Sequence, residues 1–63
     1  MLKLKEIRSG EYITIDGRFI IFIDIYDGFW YACDAVTGQS VVDSERTMRE
    51  IKESLSAYIE KHN

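Results

Sequence analysis

Cys33 and His62 are the residues of this chain whose types could make a nucleophile and its base. A thiol needs the imidazole within hydrogen-bonding reach, and a spacing of this kind does not supply it. His62 falls at the end of a helical pattern. Cys33 falls among aromatic residues of a strand, where a thiol behaves as a small hydrophobe. The carboxylates come next. Asp16 and Asp27 precede Gly17 and Gly28 and read as turn residues. Asp24 and Asp34 could work as a dyad or hold a cation only from one face of a sheet, and the alternation described below puts them on opposite faces. One cysteine and one histidine fall short of a four-ligand zinc site, and no glycine-rich phosphate loop, HExxH or CxxC occurs. The expectation is a protein that is not an enzyme, with no catalytic residue, no metal and no cofactor.

The elements that position these groups centre on Arg18–Tyr26. Nine residues run between Asp16-Gly17 and Asp27-Gly28, and seven of them are β-branched or aromatic, the composition of a strand. Asp-Gly suits a two-residue type I′ hairpin, so this strand should have antiparallel neighbours on both sides, Glu11–Ile15 and Phe29–Asp34. Ala35-Val36-Thr37-Gly38 reads as a type I turn closed by a glycine bulge, returning the chain into 39–43. Residues 2–7 alternate apolar and polar and fit either a short edge strand or a helical turn. Thr47 and Glu50 have capping-box spacing, with Ser44 a rival cap. Met48, Ile51, Leu55, Tyr58 and Ile59 then recur at helical steps, with Arg46/Glu50 and Arg49/Glu53 as i,i+4 pairs on the outer side. The fold class is therefore α+β: a three- to four-stranded antiparallel meander packed on one face by a C-terminal helix. It forms one domain over 1–63, with the sheet at 11–43 and the helix at 47–62.

Two-residue hairpins would set Ile15 opposite Arg18 and Tyr26 opposite Phe29, and directly opposed residues share a face. One face then holds Tyr12, Thr14, Phe19, Ile21, Ile23, Ile25, Trp30, Ala32 and Asp34. The other holds Ile13, Ile15, Arg18, Ile20, Phe22, Asp24, Tyr26, Phe29, Tyr31 and Cys33. Asp24 opposite Tyr31 would be costly to bury, so the helix should cover the first face, with Tyr12 and Trp30 beneath it. The second is left open, with Phe22, Tyr26, Phe29 and Tyr31 around one carboxylate.

At 63 residues the chain buries only about 60% of its unfolded surface, and the lone cysteine rules out an internal disulfide. Packing or oligomerisation must stabilise it. Residues 1–43 carry four basic and seven acidic side chains, whereas 44–63 carry four of each, so the net charge of −3 belongs to the sheet. No apolar run has the length of a membrane span or a signal-peptide core, which leads to the expectation of a cytoplasmic protein with a reduced thiol and no membrane partner.

Two resemblances follow from particular residues. Asp16-Gly17-Arg18-Phe19, Trp30-Tyr31 and Thr47-Met48-Arg49-Glu50-Ile51 resemble the AP2-like arm-type DNA-binding domains of tyrosine integrases, β-β-β-α modules of phages and mobile elements. That resemblance implies a sheet laid in the DNA major groove and read out by basic side chains. Ile7-Arg8-Ser9-Gly10, Tyr12-Ile13-Thr14-Ile15, Trp30–Asp34 and Thr37-Gly38 also look like a small SH3-like barrel with a helical tail.

Tyrosine and phenylalanine on an open face are typical of protein contacts, and an acidic sheet is a poor match for phosphates. The functional expectation is a small acidic protein-interaction module of phage or mobile-element type. It would be an accessory or inhibitor protein that mimics DNA in the basic nucleic-acid channel of a host enzyme such as a defence nuclease. Asp24, Asp27 and Asp34 would supply charge, and Phe22, Tyr26, Phe29 and Tyr31 would supply anchors. Its partner is another protein, with a homodimer through the aromatic face as a second arrangement. The alternative is sheet-mediated DNA binding through Arg18, Arg46 and Arg49.

Overall fold

A computed structural model describes residues 2–62. Five strands and one helix follow in chain order: β1 (Leu4–Arg8), β2 (Glu11–Thr14), β3 (Phe19–Ile23), β4 (Trp30–Asp34), β5 (Ser40–Glu45) and α1 (Met48–Lys61). The strands form one antiparallel meander in sequential order, so β1 and β5 are its edges and the sheet stays open. The α+β class holds. The sheet has five strands rather than three or four, and it is not closed into an SH3-like barrel. It extends beyond 11–43 at both ends because residues 4–8 pair with β2 as a strand, not a helical turn. At the other end β5 continues past Asp43 through a bulge, with Ser44 at φ 33°.

Both hairpins depart from two-residue turns. Between β2 and β3 the register is the expected one, Tyr12 opposite Ile21 and Ile13 opposite Ile20. However, Gly17 alone has positive φ, and its amide donates to the Thr14 carbonyl at 2.8 Å. A type I′ turn would need positive φ at Asp16 too. Thr14 explains the difference. Its buried hydroxyl donates to Asp16 Oδ1 at 2.7 Å and accepts from the Arg18 and Phe19 amides at 3.2 and 3.1 Å. That knot holds Ile15–Arg18 out as a loop, and Arg18 leaves the sheet to lie over the Phe19 ring.

Between β3 and β4 the register moves by two residues. Phe22, not Asp24, lies opposite Tyr31, and Ile23 opposite Trp30. The strand expected to reach Tyr26 ends at Ile23 because Asp24 turns its carboxylate onto the Tyr26 amide at 2.8 Å. Its own amide donates to the Phe29 carbonyl at 2.9 Å, and its carbonyl accepts from Gly28 at 2.7 Å. Asp24, Ile25 and Tyr26 therefore belong to a loop, not to either sheet face. A slip of two residues leaves every remaining side chain on its own face, since strand side chains alternate with period two.

Thr47 is the helix N-cap, accepting from the Glu50 amide at 3.1 Å. Its hydroxyl donates to Glu50 Oε1, so Glu50 turns back to the cap; on the outer side Arg49 meets Glu53 at 3.7 Å. Ile51 and Leu55 are fully buried against Phe19, Ile21 and Ala32, with Tyr12, Trp30, Met48, Tyr58 and Ile59 around them. Ser54 donates to Glu45, tying α1 to β5. The helix covers the face carrying Ile21 and Ala32, as the alternation predicts.

Candidate interaction face

The opposite face of the sheet is built in two rows. Successive pairings align Lys5, Ile13, Ile20, Cys33 and Ser40 across all five strands. One step along, Arg8, Glu11, Phe22 and Tyr31 align in the same way. On β5, Asp43 is near enough to Tyr31 to add to its negative field and accepts from Ser40 Oγ at 2.7 Å. Ile13, Ile20, Phe22, Tyr31 and Cys33 are all half-buried, and among the described residues no helix lies over them. The result is a five-residue apolar band with Lys5 and the Arg8–Glu11 pair at one side and Asp43 at the other.

Phe22 and Tyr31 anchor this band, their rings stacked at 5.7 Å and 21°. Such ring pairs contribute about 0.5–1.5 kcal/mol beyond area burial. The Tyr31 hydroxyl donates to Asp27 Oδ2 in the β3–β4 loop. This bond pushes the Tyr31 phenol up to about 12, with Asp24 and Asp43 adding to the negative field. Conversely, the Tyr31 hydrogen bond, together with the Phe29 amide, holds Asp27 below the usual carboxylate range. Burial, reinforced by Asp34 and Glu11, pushes the Cys33 thiol up and so disfavours its thiolate. Arg8 and Glu11 form an ion pair at 3.0 Å on the cationic side.

The seven residues singled out as partner-binding divide in three. Phe22 and Tyr31 sit together on the open face. Asp24, Tyr26, Asp27 and Phe29 belong to the loop that overhangs one end of it, where Tyr26 is 94% exposed beside Ile25 at 85%. Asp34 is not part of this site. It lies at the other end of β4 and accepts from the Val36 and Thr37 amides at 2.8 and 3.0 Å, which lowers its carboxyl. Ile13, Ile20, Cys33 and Asp43 are the site members that the choice of aromatics and acids left out. Strand alternation would have picked up the first three; Asp43 needed the register of β5.

Cys33 and His62 lie on opposite sides of the sheet, His62 stacking on Tyr58 at 4.1 Å near Arg18 and Phe19. Arg18 is thus at the helix side of the molecule and Arg49 lies along α1, so these two of the three arginines offered for DNA are not on the open face. Among the described residues no group of three or more His, Cys, Asp or Glu side chains is placed to hold a metal ion. No described helix is long and apolar enough to cross a membrane. Comparison with family models, with curated proteins and with solved structures found no match.

Proposed function

We propose that the chain is a non-enzymatic protein-interaction module whose contact surface is the face of the sheet turned away from α1. One observation carries this: half-exposed Ile13, Ile20, Phe22, Tyr31 and Cys33 form a continuous apolar band without a cover. A small domain gains nothing in water from leaving two stacked aromatics and two isoleucines unroofed, whereas such a band desolvates readily against a partner. The overhanging loop adds Tyr26 and Phe29 as further anchors.

The charge around this band supports a more specific reading, an acidic cytoplasmic accessory or inhibitor protein of phage type. Asp24 and Asp27 of the β3–β4 loop and Asp43 of β5 add to the negative field at Tyr31, and an array of carboxylates can enter a channel built for phosphates. The test is inhibition of duplex cleavage when purified protein is added to a nuclease-containing extract of the native host. Inhibition that fades with added salt and is lost in Tyr31→Ala, with folding retained, supports the reading. Undiminished cleavage at all protein concentrations contradicts it. A gel shift with duplex DNA at low salt covers the alternative of sheet-mediated DNA binding. A retained band that disappears steeply with salt would replace the protein-partner reading.

A further inference from the structure

The open face has a property that a general contact surface does not need: its charge pattern matches its own image. Lys5 and Arg8 stand on β1, Glu11 on β2 beside Arg8 at 3.0 Å, and Asp43 on β5, with the apolar band between them, so the four charges of the face sum to zero. We propose that the face joins a second copy of this chain, about a two-fold axis lying between the two sheets and parallel to their strands. This rests on the reading of that face as a contact surface and names its first partner.

The axis follows from the row order. Rotation about a line beneath β3 carries β1 of one protomer over β5 of its partner and keeps each row at its own height. Arg8 then faces Asp43 of the other copy, twice by symmetry. Ile20 and Phe22 meet their own images on the axis, and Ile13 packs toward Cys33. Aligned sheets pack in this way at about 30° and about 10 Å apart. Rotation about a line across the strands would instead set β1 against β1, cation on cation. The chosen axis also leaves both β3–β4 loops at one end, so Asp24, Asp27 and Tyr26 of the two protomers lie side by side, where exposed carboxylates are screened by salt.

Size sets the strength. Four strand spacings of about 4.8 Å and five residues of about 3.3 Å give a face of roughly 19 by 16 Å. That is well below the ~800 Å² per partner of a standard interface, which places the dimer in the weak, reversible class. The monomer has reason to use it, since among the described residues the buried apolar core is Phe19, Ile21, Ala32, Ile51 and Leu55, and association adds to apparent stability by mass action.

Sedimentation equilibrium of the full chain tests the proposal. The mass should rise from 7.4 kDa toward twice that value over concentrations in the micromolar range and above. Ile20→Lys should hold it at the monomer with unchanged circular dichroism. Arg8→Glu and Asp43→Arg should each weaken association roughly tenfold, and the two together should restore it. A mass of one chain up to about millimolar concentration overturns the dimer. So does a dimer indifferent to all four variants. Alkylation of Cys33 at alkaline pH, where its disfavoured thiolate forms, separates this from failure of the contact-surface reading itself. Brisk alkylation in a chain that never dimerises removes only the second copy as partner. Protection of Cys33 in dilute monomer means the face is covered within the chain, and both readings fall.

Discussion

The Tyr31 hydroxyl donates to the Asp27 carboxylate across the mouth of the β3–β4 hairpin, fastening the loop to the aromatic stack on the open face. One bond thus couples a surface anchor to the loop that overhangs it, and it shifts both groups in opposite directions. Asp27 has a lowered folded-state pKa, so its stabilisation is present above the ordinary carboxylate range and is lost as pH falls through the lowered value. Tyr31 has a raised one, so its stabilisation is complete below the ordinary phenol range and is lost as pH rises toward about 12. The difference in ultraviolet titration between the parent and Tyr31→Phe should have its midpoint near about 12. In Asp27→Asn that midpoint should fall toward about 10. An unchanged midpoint in Asp27→Asn would show that the bond does not form in solution.

Thr14 should be the most sensitive polar position of the chain. It is buried, and its hydroxyl satisfies two amides and one carboxylate in the β2–β3 loop. Thr14→Val keeps the shape and strands the buried Phe19 amide, so urea unfolding should show a loss of about 1–3 kcal/mol. Thr14→Ser should recover most of it. Equal losses for the two variants would mean that the methyl group, not the hydroxyl, matters.

Much of this architecture was legible in the chain, for reasons visible at single positions. The two faces could be read because alternation survives any even slip, and the slip at β3–β4 was two residues. The length of β3 could not be read. Ile25 and Tyr26 have strand-forming side chains, yet the Asp24 carboxylate closes on the Tyr26 amide at 2.8 Å and ends the strand first. A short acidic side chain beside a loop competes with the ladder for backbone amides, and β-propensity carries no record of that competition. The same local bonding absorbed Asp34, which looked like surface charge but caps its own turn. Phe22 and Tyr31 were identifiable as candidates from type alone. Asp43 was not, because its place beside Tyr31 depends on the bulge at Ser44.

Gly10 and Gly28 offer a contrast between two left-handed glycines. Both have positive φ, 80° and 74°, but a Cβ at Gly10 would stand 2.8 Å from Ile23 Cγ2, whereas the space around Gly28 is empty. Gly28→Ala should lose only the backbone term, about 1 kcal/mol. Gly10→Ala should lose about 1–3 kcal/mol more, because Ile23 must leave its rotamer or the β1–β2 turn must move. Thermal unfolding of the two variants decides it, and a larger effect at Gly28 would mean that Ile23 does not pack over the turn.

Thr47→Ala removes the N-cap of the one helix that roofs the core. Loss of the bond to the Glu50 amide should cost about 1 kcal/mol of global stability, since α1 and the sheet share one core and unfold together. Helicity and sheet signals should therefore be lost at one common, lowered midpoint. Two separate transitions would show that the helix is not integral to the fold.

Ile20 and Ile21 are chemically identical neighbours on opposite faces of β3, one half-buried on the uncovered side and one with no exposed surface beneath α1. Unfolding of Ile20→Ala and Ile21→Ala, compared at a dilution where the chain is monomeric, tests the asymmetry of the sheet most directly. Ile21→Ala should lose about 2–5 kcal/mol, enough to unfold a domain of this size, while Ile20→Ala should lose about 1 kcal/mol or less. Equal losses at the two positions would mean that both faces are roofed, and no contact surface of the kind described would remain.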